Sequence, residues 1–163
     1  MDPQTDGIAY KDRVLGIPGD AITGPLHLGI RVDRAAANLP QTTQAALFTI
    51  SGGRVMAWIL GEVTTVIQNQ ANNTKLVHNP SVGTDLDLCA VLNIAADEVG
   101  TLYGITGTPA DALLGAGQAV RLQDPVVLKP GTLDLNCAAS NTGQVKWTVF
   151  YLPLDQGAAV VAA

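Results

Sequence analysis

Val145-Lys146-Trp147-Thr148-Val149-Phe150-Tyr151 is the stretch that decides the fold. Val145, Trp147, Val149 and Tyr151 share one face, and Lys146, Thr148 and Phe150 the other. Successive side chains of an extended chain point to opposite faces, so strict alternation of this kind reads as a strand with one buried side. β-Branched and aromatic residues fill it, which suits a pleated surface. Ser140-Asn141-Thr142-Gly143 supplies a turn before it and Pro153 a stop after it. Trp147 is therefore expected in the core.

Working outward, the same period recurs. Leu133, Leu135 and Cys137 alternate with Asp134 and Asn136 after the turn Lys129-Pro130-Gly131. Residues 82–94 give the clearest alternation, with Leu86, Leu88, Ala90, Leu92 and Ile94 opposite Asp85, Asp87, Cys89, Val91 and Asn93. Residues 46–50 run into Ser51-Gly52-Gly53, a hairpin-type turn, and residues 54–60 follow. There Val55, Ala57 and Ile59 lie on one face and Met56, Trp58 and Leu60 on the other. Both faces are apolar, so this strand is expected to be covered on both sides. Shorter strands are expected within 62–68, 75–78, 99–105, 119–122 and 126–128. The segment 108–115 carries the one helix signal: Thr108 as N-cap, Pro109 in the first turn and Gly115 past the end. Gly83 to Cys89 and Gly131 to Cys137 echo each other, each cysteine lying six residues after its glycine.

Strands at such spacing, with turn residues between them, predict an all-β fold. The expected body is a β-sandwich or jelly-roll-like unit over residues 42–157, with at most one short helix. Residues 1–41 differ. Glycine and proline recur among them and no regular apolar period survives, yet aliphatic and aromatic residues are interspersed. They read as an extended N-terminal arm, and residues 158–163 as a C-terminal tail. The candidate interface residues are Ile8, Tyr10, Leu15, Ile17, Ile22, Leu26, Leu28 and Ile30 in the arm, with Met56, Trp58 and Leu60 in the body.

Composition narrows the function. Charged residues are 14% of the chain, well below the usual share of about 25%. So few charges fit a surface partly buried against partners, and a homo-oligomer is expected. The nine basic residues are scattered, so no stripe offers to neutralise phosphates, and nucleic acid is not an expected partner. No apolar run approaches a membrane span, and Met1-Asp2-Pro3-Gln4 does not open like a secretory signal, so synthesis in a cytoplasm is expected. Cys89 and Cys137 read as two buried thiols of a reducing compartment.

Chemistry is sparse. The two histidines, His27 and His78, are not spaced as zinc ligands. Ser51, Ser81 and Ser140 lie in predicted turns, outside any nucleophile elbow. Cys89 lies in an apolar strand setting, where a thiol is inert. Asp85 and Asp87 share a strand face and read as solvated acids rather than a catalytic pair, and calcium binding with Asp134 is a weaker alternative. Gly115-Ala116-Gly117 lacks the lysine of a phosphate loop. The expectation is a chain with no catalytic residue, cofactor or metal.

The segments 32–40 (Val-Asp-Arg-Ala-Ala-Ala-Asn-Leu-Pro), 46–55 (Ala-Leu-Phe-Thr-Ile-Ser-Gly-Gly-Arg-Val) and 145–158, from Val145 to Ala158, resemble small structural proteins of tailed-phage virions, in particular capsid decoration or cement proteins. Residues from about 30 onward carry the resemblance, and the N-terminal arm lies outside it. It implies a virion protein made in the host cytoplasm. Such a protein adds to a preformed shell of major capsid protein and helps it resist internal DNA pressure, often as a trimer where capsomers meet. A tail or baseplate protein is the alternative within the virion. A small β-sandwich carbohydrate-binding or hydrolytic module is the alternative from another class.

Overall fold

The computed structural model describes residues 29–115, 117, 119–122 and 124–163. They form an all-β body of two antiparallel sheets around one core. In chain order the strands are β1 (Ile30–Asn38), β2 (Gln44–Ser51), β3 (Val55–Thr65), β4 (Asn73–Pro80), β5 (Leu86–Asp87), β6 (Leu92–Asn93), β7 (Leu102–Gly104), β8 (Leu114–Gly115), β9 (Val126–Leu128), β10 (Gly131–Cys137), β11 (Gln144–Pro153) and β12 (Ala159–Ala162). Sheet A has the order β1-β11-β3-β7-β8, with β9 also paired to β3. Sheet B has the order β12-β2-β10-β4-β5, with β6 also paired to β4.

The alternation of β11 is realised as read. Val145, Trp147, Val149 and Tyr151 are buried, while Lys146, Thr148 and Phe150 are not. Trp147 lies over Gly61 of β3, where a Cβ would stand 2.7 Å from the indole, and stacks with Tyr103 at 6.2 Å between centroids. From sheet A the core takes Val55, Ala57, Ile59 and Val63; from sheet B it takes Phe48, Leu76, Leu133 and Leu135.

Several expectations are corrected. Ser51-Gly52-Gly53 does not close a hairpin, because β2 lies in sheet B and β3 in sheet A. The turn instead carries the chain between sheets and packs against the turn at 155–157. Arg54 reaches Asp155 there with Nε at 2.9 Å and a terminal nitrogen at 2.8 Å. Residues 82–94 are not one strand. After β5 the chain leaves β4: the Ala90 amide donates to Asp111 O at 2.7 Å and the Leu113 amide to Ala90 O at 2.9 Å. This exchange stitches the two sheets together along one side, through the parallel bridge between Ala90 and Ala112. Because that side needs extended backbone, 108–115 forms no helix. Only the Asp111 amide closes a turn, onto Thr108 O at 3.1 Å, and Leu114–Gly115 then pairs with β7. No strand is assigned at 119–122. The two glycine-led echo segments lie on opposite sides of β4, so they are not equivalent in the fold.

The ends of the body also move. Ile30–Asn38, read as part of the arm, is an edge strand of sheet A, paired from Ile30↔Tyr151 to Asn38↔Gln144. It was hidden because a β-bulge between Arg34 and Ala37 breaks its period. The C-terminal residues, read as a tail, form β12 against β2, and bury Ala158 and Val160.

Candidate interaction surface

The outer side of sheet A gathers the apolar residues that the core does not take. Antiparallel partners point to the same face. On β3 the outward positions are Met56, Trp58 and Leu60, paired respectively with Leu152, Phe150 and Thr148 of β11. Val127 of β9 lies beside Met56, while Arg31 and Asp33 of β1 lie beside Phe150 and Thr148. Met56, Trp58, Leu60 and Phe150 are half-buried, and Val127 is 58% exposed. The second sheet covers the Val55, Ala57 and Ile59 side, so it does not cover Met56, Trp58 and Leu60. Among the described strands none forms a third layer over them.

Ion pairs border this apolar field. Lys146 reaches Glu62 at 2.7 Å, and Arg31 Nε reaches Asp33 at 3.0 Å. Asp33 also accepts the Thr148 hydroxyl at 2.7 Å. That hydroxyl, then Arg31, holds its carboxyl below the usual carboxylate range. A depression of about 180 Å³ lies between Arg31, Leu60, Glu62, Lys146 and Phe150. It is smaller than the roughly 300–1,000 Å³ of small-molecule sites, so the face suits a broad contact better than an enclosed ligand.

Of the expected interface residues, the structure brings Met56, Trp58 and Leu60 together. Ile30 is 50% exposed at the start of β1. Ile8, Tyr10, Leu15, Ile17, Ile22, Leu26 and Leu28 lie outside the described residues, as does His27. Sequence reading missed Phe150, Leu152 and Val127 as neighbours of Trp58 and Met56. Phe150 opposite Trp147 was a visible signal, but the pairing register that joins it to Trp58 was not.

The groups considered for chemistry are each engaged locally. His78 Nδ1 donates to Thr132 O at 3.1 Å, and its Nε2 accepts the Lys129 amide at 3.3 Å. Both ring nitrogens are thus occupied in the neutral form, and burial pushes the imidazole below its ordinary value. Cys89 Sγ accepts the Leu76 amide at 3.4 Å, and burial pushes both its thiol and that of Cys137 up. Asp87 pairs with Lys75 at 2.6 Å. The Gln44 amide donates to Asp134 at 2.8 Å and to Asp85 at 3.3 Å. Asp134 is buried and its other oxygen has no hydrogen-bond partner. Among the described residues no group of three or more His, Cys, Asp or Glu side chains is placed to hold a metal ion, and no helix is long and apolar enough to cross a membrane.

No protein family, curated protein or solved structure matches this chain.

Proposed function

We propose that this chain is a non-enzymatic structural protein of a tailed-phage particle, which binds the shell of major capsid protein from outside and stabilises it as a homotrimer. The observation that carries the reading is the outer face of sheet A. Met56, Trp58, Leu60, Phe150 and Leu152 collect on a side that the core does not use, in a chain with only 14% charged residues. Contiguous apolar surface of this kind marks a contact with another macromolecule. The resemblance of residues from about 30 onward to capsid decoration proteins names the partner. The chain before Gly29 joins β1 at the edge of sheet A, beside that face. Repeated copies on a shell turn individually weak contacts into durable attachment.

Sedimentation of the purified chain with undecorated shells of its phage tests this. The full chain is expected to co-sediment, and the chain starting at Gly29 to bind at least about tenfold more weakly, a loss near 1.4 kcal/mol. Full-chain binding no stronger than to unrelated particles overturns the reading. A carbohydrate or hydrolytic module would instead bind glycans or turn over substrate.

A further inference from the structure

We propose that residues 1–28 seat their apolar side chains on the outer face of sheet A of the same molecule, over Met56, Leu60, Phe150 and Leu152. This stands apart from the shell reading, because it concerns the free protein.

The first observation is where the segment leaves the body. Gly29 holds φ at +92°, and a Cβ there would stand 2.2 Å from Tyr151 O and 3.0 Å from Leu152 Cδ2. Only glycine permits that approach. The backbone at residue 29 is thus pressed against the end of β11, on the rim of the apolar face. Next to it Ile30 pairs with Tyr151 and Arg31 with Phe150. The segment therefore begins a few ångströms from Leu152 and needs no second molecule to bring it there.

The second observation is reach. Extended at roughly 3.3 Å per residue, residues 1–28 span about 90 Å. The 11 residues of β3 span about 36 Å. The segment can thus cross the face along β3 and return. Its Ile8, Leu15, Ile17, Ile22, Leu26 and Leu28 are too apolar for a chain that stays in water at no cost. The apolar side chains of the segment match in kind those of Met56, Leu60, Phe150 and Leu152 on the face. A short tether sets an effective concentration of order millimolar, so even a weak contact is populated.

Charge does little of the work. The segment carries Asp2, Asp6, Asp12 and Asp20 against Lys11 and Arg13, and the face sets Arg31 and Lys146 beside Asp33 and Glu62. The contact is therefore expected to persist in salt, which screens exposed charges over about 10 Å at 0.1 M.

The test replaces Phe150 with the photoreactive p-benzoyl-phenylalanine in the full chain. Equal amounts of ¹⁵N-labelled and unlabelled protein are mixed, irradiated and mapped by mass spectrometry. Cross-links from position 150 to residues 1–28, within chains of one isotope, are the expected result. Cross-links mainly between isotopes, or to sites other than 1–28, overturn the proposal. A second measurement needs no substitution at the face. Hydroxyl-radical labelling of Met56 and Leu152 is compared between the full chain and the chain starting at Gly29, which keeps both sheets and the core. Labelling is expected to rise about threefold on removal of the segment, at 0.1 M and 0.5 M salt alike. Unchanged labelling overturns the proposal.

Discussion

Trp147 is the residue on which the core turns. It is 2% exposed, stacks with Tyr103, and occupies space that the missing side chain of Gly61 leaves open. Trp147→Ala is expected to cost about 3–5 kcal/mol through lost burial and the cavity left behind. Gly61→Ala adds a methyl 2.7 Å from the indole in a packed interior and is expected to cost about 1–3 kcal/mol. Denaturant titration of both variants checks the pair, and two near-wild-type midpoints would contradict the placement of the indole. His78 makes the second residue-scale prediction. Burial lowers its native pKa from 6.5, opposed by Thr132 O, Asp134 and Asp85 and aided by Lys129. Between 6.5 and the depressed native value, the unfolded chain binds more protons than the native one, so stability falls as the pH drops through that window. Carboxylates that are held low, such as Asp33 and Asp155, add their losses only at more acidic pH, below their unfolded value of 3.8. An NMR titration of His78 should give a midpoint below 6.5, and a midpoint above it would reverse the sign.

At the scale of elements, the boundary of the body matters most for experiment. A chain starting at Gly29 keeps β1 and should stay folded. A chain starting at Thr42 strips β1 from β11 and removes Leu39, which is 3% exposed and whose burial alone is worth about 1.5–3 kcal/mol. Thermal melts of the two truncations should therefore separate clearly, and equal melting temperatures would return residues 30–38 to an arm. What was legible in the sequence follows the same line. β10 and β11 were readable because apolar residues alternate along them, and β3 and β4 because their runs are bounded by turn residues. β1 was obscured by its bulge and by Arg34, a long polar residue set opposite the buried Trp147. β12 was obscured because Ala159, Val160, Val161 and Ala162 do not alternate in polarity. Residues 82–94 misled in the other direction. Their alternation is real, but Ala90 takes its hydrogen bonds from 111–113, and that long-range choice overrode the local pattern. The same choice cost 108–115 its helix despite good capping chemistry. Of the candidate surface, Met56, Trp58 and Leu60 were legible from the apolar outer face of one strand. Phe150, Leu152 and Val127 required the register between strands, which side-chain pattern alone does not specify.

The described residues form two sheets whose chain crosses repeatedly from one to the other, with β1 closing against β11 near the far end of the chain. Such a topology commits the inner faces of both sheets to a single core and leaves the outer faces to determine what the protein meets. Sheet B turns outward Gln44, Lys75, Asp87 and Asn136, with Val77 and Asp134 buried among them. The outward positions of sheet A are more apolar, with Met56, Trp58, Leu60, Phe150 and Leu152 inside a border of ion pairs. That asymmetry is the molecular basis of the proposal that the protein works by attachment, with sheet A and the segment before Gly29 as its adhesive side. Cryo-electron microscopy of the native phage particle tests the central claim most directly. The account predicts copies of this two-sheet body in threes on the outside of the capsid, where capsomers meet, with sheet A and the N-terminal segment nearer the shell than sheet B. Density for the body on the tail or baseplate, on the inside of the shell, or nowhere on the particle would contradict it.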